Sequence, residues 1–123
     1  MNNNEFSKKF KARLFCLILR VVKFCECLDW KNPLARVVRF QLVKSITSIG
    51  ANYFEAIAGS SRKDFANFNN HSLKSANESQ FWLLLLKEAE LGDLEELDAL
   101  LLEVEEIARI FGSIVKSLRE KKK

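Results

Sequence analysis

Apolar residues recur along most of the chain at alternating spacings of four and three positions. The pattern is clearest in the first thirty residues and in the last thirty, where it includes Phe10, Leu14, Leu17, Val21, Phe24 and Leu28, and then Leu94, Leu97, Leu101, Val104, Ala108, Phe111, Val115 and Leu118. Such spacing places the apolar side chains on one stripe of an α-helix, as in helices that pack against each other. The pattern therefore predicts long amphipathic helices.

Helix-capping residues divide the chain into four segments. Asn32 can cap a helix that has Pro33 at its first position, and Gly59 and Gly92 are suited to ending helices, Gly59 in the left-handed conformation. The capping-box patterns that start helices three and four are Ser61-x-x-Asp64 and Asp93-x-x-Glu96. These signals predict helices over about 4–29, 34–58, 62–91 and 94–119.

The short connections between these segments predict antiparallel neighbours, and hence an all-α, up-down-up-down four-helix bundle. A chain of 123 residues fits one domain over 1–123. One Pro and four Gly are too few for an all-β protein with many tight turns. The spacing predicts a core that includes Phe10, Leu17, Phe24, Ile46, Phe65, Trp82, Leu97, Val104 and Phe111.

The second predicted helix contains a glycine at its centre. A glycine inside a helix costs about 1 kcal/mol relative to alanine. Gly50 lies among other small residues, Ser45, Ser48 and Ala51. We therefore predict that another helix approaches closely at Gly50.

Two segments resemble a known family. Ser45-Ile46-Thr47-Ser48-Ile49-Gly50-Ala51-Asn52-Tyr53-Phe54-Glu55-Ala56 is similar to the "S-x-x-S-I-x-A-N-x-x-E-A" segment of 23S ribosomal RNA intervening-sequence proteins, and Asp64-Phe65 follows as in that family. Glu78-Ser79-Gln80-Phe81-Trp82-Leu83 resembles its "E-x-x-[YF]-W-L" segment. The similarity covers roughly the whole chain and is most specific from Gln41 to Leu86.

The resemblance implies a four-helix bundle that assembles into closed rings of five subunits. Members of the family are encoded inside intervening sequences of large-subunit ribosomal RNA genes. Others resemble the accessory variability protein of diversity-generating retroelements, a basic pentameric bundle that binds nucleic acid and a reverse transcriptase. The implied partners are further copies of the chain, RNA or DNA, and, as an alternative, a reverse transcriptase.

Helices one and four contain more apolar residues than one packing stripe needs. The additional residues are Phe15, Ile18, Leu19 and Val22 in helix one, and Leu100, Ile107, Ile110 and Ile114 in helix four. A wide core is one explanation. A subunit interface is the other, because monomers rarely expose large apolar patches. We favour the interface and expect a homo-oligomer, and the family resemblance implies that it is a homopentamer.

Charge is distributed unevenly along the chain. The net charge is +4, and the first fifty residues contain ten basic and three acidic side chains. Residues 92–118 contain seven acidic and two basic side chains. A basic surface can bind nucleic-acid phosphates, but oppositely charged faces can also pair across a subunit interface. The candidate nucleic-acid-binding residues are Lys9, Arg13, Arg20, Lys23, Arg36 and Arg39.

No combination of residues typical of a catalytic site is present. The chain has one histidine, His71, and no glycine-rich phosphate loop. The best polar cluster comprises Asn52, Glu55, Asp64 and Glu78, with Arg62 nearby. It is interpreted as a structural hydrogen-bond network, with a ligand or partner site as the alternative. We predict no catalysis and no cofactor.

Cys16, Cys25 and Cys27 do not form a disulfide framework, and their spacing on a helix does not favour a shared metal. We therefore expect three reduced thiols and no metal site. The longest apolar run, Phe81 to Leu86, is far shorter than the ~20 residues that span a bilayer. The basic residues Arg20 and Lys23 interrupt the early apolar run too soon for a signal peptide. The expected location is the cytoplasm.

Overall fold

The computed structural model describes residues 3–59 and 61–120, which form four helices and, within those ranges, no strand. They are α1 (Asn3–Glu26), α2 (Pro33–Ala58), α3 (Arg62–Glu88) and α4 (Leu94–Glu120). Each helix packs against its neighbour in the chain, and α4 also packs against α1. The predicted all-α four-helix bundle is confirmed.

The helix starts use the predicted caps. The Asn32 side chain accepts a hydrogen bond from the backbone N–H of Ala35 at 3.0 Å, and Pro33 occupies the first turn of α2. Ser61 Oγ accepts from the N–H of Asp64 at 3.0 Å. Asp93 Oδ2 accepts from the N–H of Glu96 at 3.1 Å. These contacts satisfy backbone donors that have no partner inside the helix.

The helix ends differ from the prediction. Gly59 has φ −62° and an extended backbone, so it does not adopt the left-handed conformation expected of it. Helix α3 ends at Glu88, before the expected position near Leu91, and Glu90 has φ 57°. The N–H of Leu91 donates to the carbonyl of Leu86 at 2.9 Å, and the N–H of Glu90 donates to that of Lys87 at 3.1 Å. This pair of bonds is a Schellman motif, which satisfies the last carbonyls of α3.

Gly92 lies in the connection between α3 and α4 with φ 87°. A Cβ atom at this position would lie 2.6 Å from Cζ of Phe24 and 3.1 Å from Cδ2 of Leu28. Glycine is therefore needed here both for the left-handed backbone and for the close approach to α1.

The core contains seven of the nine predicted residues as buried side chains, whereas Phe65 and Trp82 are only half-buried. Trp82 donates its indole N–H to Glu78 at 3.0 Å, and its ring contacts that of Phe81, which is exposed. Phe65 lies in the first turn of α3, at the end of the bundle, where fewer neighbours cover it. Helical spacing identifies the inward stripe but not how completely each position on it is covered.

The four helices are unevenly spaced. Among the four pairs of neighbouring helices, the backbones of α2 and α3 approach most closely, and those of α1 and α4 are the most widely spaced. Small side chains permit the close approach, since buried Ser45 and Ser79 are hydrogen-bonded at 2.8 Å and Ser72 donates to the carbonyl of Ile49 at 2.8 Å. The wider side of the bundle is filled by large side chains, including Phe10, Leu14, Leu100 and Phe111.

Gly50 is buried, and its neighbour is α1. A Cβ atom placed on Gly50 would lie 2.8 Å from Cδ1 of Ile18. The contact expected at this glycine is therefore present. It involves the flexible end of a side chain, so a small group at position 50 meets less resistance than a large one.

Candidate nucleic-acid interface

Arginines of α1 and glutamates of α4 form an ion-pair seam across the wide side of the bundle. Arg13 donates from Nε and Nη2 to the two carboxylate oxygens of Glu103, each at 2.8 Å, and Nη2 also lies 3.0 Å from Glu106. Arg20 makes the same two-bond contact with Glu96 at 2.9 and 2.6 Å. Two parallel bonds between a guanidinium and a carboxylate are stronger and more directional than one.

The seam shifts the ionisation of its members. The hydrogen bond from Arg13 lowers the pKa of the Glu103 carboxyl, although partial burial opposes this. The hydrogen bond from Arg20 lowers the pKa of Glu96 in the same way. The carboxylates correspondingly raise the pKa values of both arginines. Arg13, Arg20, Glu96 and Glu103 therefore stay charged over the neutral range.

The seam changes the assignment of the candidate phosphate-binding residues. Arg13 and Arg20 have acidic partners within their own subunit, so their positive charges are largely compensated. Lys9 and Lys23 are exposed on the same flank of α1 and form no ion pair with any described residue. The structure thus separates the six predicted residues, and two of them are engaged internally.

Arg36 and Arg39 lie elsewhere, on the first half of α2. Together with Trp30, Phe40, Val43 and Lys44 they line an open pocket of about 590 Å³, here called the basic-aromatic pocket. It lies beside the α1–α2 connection, which contributes Trp30. Residues 36, 40, 43 and 44 recur at helical spacing, so α2 presents them on one flank.

The cations of this pocket are not compensated. Among the described residues, no carboxylate forms an ion pair with Arg36, Arg39 or Lys44. Arg36 Nη1 instead donates to the backbone carbonyls of Trp30 at 3.2 Å and Lys31 at 3.3 Å. These bonds tie the guanidinium to the connection and leave its charge available to a ligand.

The aromatic residues of the pocket are unusually exposed. Phe40 is 69% and Trp30 62% accessible to solvent. Neither residue was predicted from the sequence, because Trp30 falls in a connection and the phenylalanines as a group follow core spacing. The register of α2 contains the missing signal: Val38 and Leu42 are buried, so Phe40 between them must face outward.

The pocket also affects a nearby thiol. Cys25 is buried, and burial raises the pKa of its thiol to about 11, while the positive charge of Arg39 acts in the opposite direction. Cys16 and Cys27 are exposed and free. Within the described ranges, no three His, Cys, Asp or Glu side chains are arranged to hold a metal ion.

The predicted polar cluster does not form a network. Asn52 donates to the carbonyl of Ser48, Asp64 is engaged through its backbone N–H, and Glu78 contacts Trp82. Glu55 is exposed, and among the described residues no hydrogen bond joins any two of these four. Neighbouring Arg62 donates to the carbonyl of Leu118. Asn52, Glu78 and Arg62 therefore make separate side-chain contacts, and no convergent site results.

The additional apolar residues divide between core and surface. Leu100 and Ile107 are fully buried, and Ile110 and Ile114 pack against the core, because the wide side of the bundle takes up a second stripe of α4. The excess predicted for helix four is therefore mostly core. On α1, Phe15 and Leu19 do remain exposed, and Phe15 packs edge-on against Phe54 of α2.

A second exposed apolar patch lies on the opposite pair of helices. Leu84 of α3 and Leu102 of α4 line one open pocket together with half-buried Leu101. We call Phe15, Leu19 and Phe54 the first apolar patch, and Leu84, Leu101 and Leu102 the second.

None of the helices in the described ranges combines the length and the apolar character that a bilayer crossing requires.

The helix order, the short connections and the single central core define an antiparallel four-helix bundle protein. Within that class, the family model of the 23S rRNA-intervening sequence protein matches residues 15–113, and the chain belongs to this family.

A solved relative agrees with this assignment. The chain is similar to a crystal structure of a protein of unknown function from the S23 ribosomal protein family of Bacteroides thetaiotaomicron. The two share 32% sequence identity and a TM-score of 0.78, over 89% of this chain and 97% of the other. No curated protein matches the chain.

Proposed function

We propose that this protein is a non-catalytic, homo-oligomeric bundle that binds nucleic acid through the first half of α2. The observation that supports this most directly is the basic-aromatic pocket. Arg36, Arg39 and Lys44 surround one open cavity and have no acidic partner among the described residues. Uncompensated cations on one surface attract phosphates at long range. Membership of a family associated with 23S rRNA intervening sequences fits such a ligand.

The ion-pair seam limits where the phosphates bind. Arg13 and Arg20 already bind carboxylates, so a phosphate there would have to displace Glu103 or Glu96. The basic residues of α2 require no such displacement. Lys9 and Lys23 are exposed and can add to the attraction. We therefore place the main contact on α2 and treat the flank of α1 as secondary.

Assembly of several copies is the second part of the proposal. The two apolar patches lie on different helix pairs, so neither patch needs to pair with itself. A contact between two different patches is heterologous, and such contacts close into rings when the rotation between subunits permits it. Five subunits is the number that the family resemblance implies. Repetition of a weak basic site around a ring increases avidity.

Nucleic-acid binding is tested by charge reversal with a matched control. The double variant Arg36→Glu/Lys44→Glu changes the net charge as much as the control Lys74→Glu/Lys116→Glu, whose residues are exposed on α3 and α4. We expect the unmodified protein to bind RNA or DNA with an affinity that falls steeply with salt. The α2 variant should lose this binding and the control should keep it. Equal binding by both variants, or no salt-sensitive binding by the unmodified protein, would refute the proposal.

Assembly is tested by sedimentation or light scattering at micromolar concentration. We expect one oligomer larger than a dimer, and we expect Leu19→Glu or Leu102→Glu to dissociate it, since each introduces a charge into one of the proposed contact patches. An unmodified protein that remains monomeric would exclude the ring.

A purely structural or adaptor oligomer is the alternative function. It is favoured by the engagement of Arg13 and Arg20 within the subunit, which leaves the chain less basic in effect than its composition suggests. In that case the oligomer would form but show no salt-sensitive affinity for either RNA or DNA.

A further inference from the structure

The basic-aromatic pocket combines two kinds of groups that a purely electrostatic surface does not need. Trp30 and Phe40 expose most of their surface beside three uncompensated cations. Exposed large aromatic rings cost free energy in water unless a partner covers them. Phosphates alone would be bound equally well by cations among small polar residues. The rings therefore require an explanation beyond the charge.

We propose that this pocket binds an unpaired base of single-stranded nucleic acid. The base stacks on the exposed rings of Trp30 and Phe40, and the neighbouring phosphates contact Arg36, Arg39 and Lys44. This inference rests on the proposed function and specifies its ligand. Proteins that bind single strands commonly combine a positive groove with aromatic stacking surfaces. Stacking and phosphate contacts do not distinguish ribose from deoxyribose, so RNA and DNA are both tested.

The geometry favours a single strand over a duplex. A base in a duplex is stacked between its neighbours, and its face is not available to a side chain. The pocket lies on the flank of α2 beside a connection, and its cavity of about 590 Å³ is large enough for a small planar ligand. Its rings stand at the surface, where a splayed base can reach them without any change in the bundle.

Charge argues against a second copy of the chain as the occupant. A subunit interface over this pocket would remove Arg36, Arg39 and Lys44 from water, and the α4 carboxylates that could pair with them in another copy are largely engaged in ion pairs within their own subunit: Glu96, Asp98, Glu103, Glu105 and Glu106. Burial of unpaired charges is costly. The first apolar patch has one cation beside it, Lys11, whose ammonium is 4.7 Å from the ring centre of Phe54, and its exposed Phe15 and Leu19 are better suited to subunit contact. An anionic ligand with flat apolar faces satisfies both the cations and the rings.

Tryptophan fluorescence reports on this site directly. The chain has two tryptophans, Trp30 and Trp82, so Trp82→Phe leaves Trp30 as the only indole. In this background, a short oligouridylate or oligothymidylate should quench the emission as the base stacks. A hairpin duplex of similar total charge should bind more weakly and quench less. A further titration with oligodeoxyuridylate, which differs from oligouridylate only in the sugar, then shows which sugar the site prefers.

Two substitutions separate stacking from charge. Trp30→Leu and Phe40→Leu keep an apolar side chain but remove the ring, and each should weaken single-strand binding roughly tenfold, as followed by fluorescence anisotropy of a labelled strand. The control is Phe6→Leu, which removes a partly exposed ring from α1 at the opposite end of the bundle. It should bind as the unmodified protein does.

Each outcome has a defined meaning. If Trp30→Leu and Phe40→Leu bind normally while Arg36→Glu/Lys44→Glu does not, the protein binds the nucleic-acid backbone only, and this inference is wrong although the proposed function stands. Equal affinity and quenching for the duplex would also overturn it. If Trp30→Leu changes the oligomeric state and leaves affinity unchanged, the rings belong to a subunit contact. If the unmodified protein binds neither single-stranded nor duplex nucleic acid, both proposals are refuted.

Discussion

The ion pair between Arg13 and Glu103 should contribute to stability, and its contribution can be isolated. We consider Arg13→Gln, Glu103→Gln and the double variant, because glutamine keeps a similar length and polarity without the charge. In each single variant one partner remains charged. The difference between the double change and the sum of the single changes then measures the interaction between the two side chains.

The structure sets the expected size of this interaction. The side chains are 32% and 26% exposed, so solvent screens the pair only in part. Exposed pairs contribute about 0.2–1 kcal/mol. Because Arg13 and Glu103 are joined by two parallel bonds, we expect their pair to lie at the upper end of this range, with a coupling of about 1 kcal/mol. Arg13→Gln should cost more than Glu103→Gln, because Glu106 lies 3.0 Å from Arg13 and can replace the lost partner.

Urea unfolding followed by circular dichroism is the assay, at one fixed protein concentration because assembly also affects stability. The coupling between Arg13 and Glu103 should weaken as the pH falls. Arg13 lowers the pKa of Glu103, so the contribution is present above the ordinary glutamate pKa of about 4.3 and is lost as the pH falls through the lower, folded value. A coupling near zero at pH 7, or one unchanged at pH 3, would refute this account of the seam.

Four further outcomes follow from particular residues. Phe111→Ala should cost about 3–5 kcal/mol in urea unfolding, because the ring is fully buried; a cost below 1 kcal/mol would contradict its place in the core. Gly50→Leu should destabilise by about 1–3 kcal/mol, whereas Gly50→Ala should be neutral or stabilising, since Ile18 can move and alanine favours the helix. Glu90→Gly should stabilise by about 1 kcal/mol because φ is 57°, and a lower melting temperature would show that this residue is not left-handed. Burial raises the pKa of Cys25 to about 11, so at pH 8 a thiol reagent should modify two cysteines quickly and the third only in denaturant.

Much of the fold could be predicted because it depends on local rules. The alternation of four and three fixes which side of each helix faces inward, and caps such as Asn32 and Asp93 need only their own first turn. Short connections then make consecutive helices antiparallel. None of these inferences requires knowledge of how far apart the helices lie.

The features that could not be predicted from the sequence depend on the distances between the helices. Sequence alone does not show that α1 and α4 are far enough apart to bury Leu100 and Ile107 as a second stripe, or that Arg13 reaches Glu103 across the gap. The candidate site was therefore only partly predicted. Arg36 and Arg39 were included for their charge, but the exposed ring of Phe40 beside them becomes visible only when the register of α2 is known.

The uneven spacing of the helices has a consequence for the motions of the bundle. The backbones of α2 and α3 lie close together and are joined by a hydrogen bond from the Ser72 hydroxyl to the backbone carbonyl of Ile49, whereas α1 and α4 meet through the long side chains of Arg13 and Glu103. Amide protons on the α2–α3 pair should therefore exchange with solvent most slowly, and local opening should begin where α1 separates from α4. The basic-aromatic pocket is built mainly on α2, so its cations should keep their positions when the other side of the bundle opens.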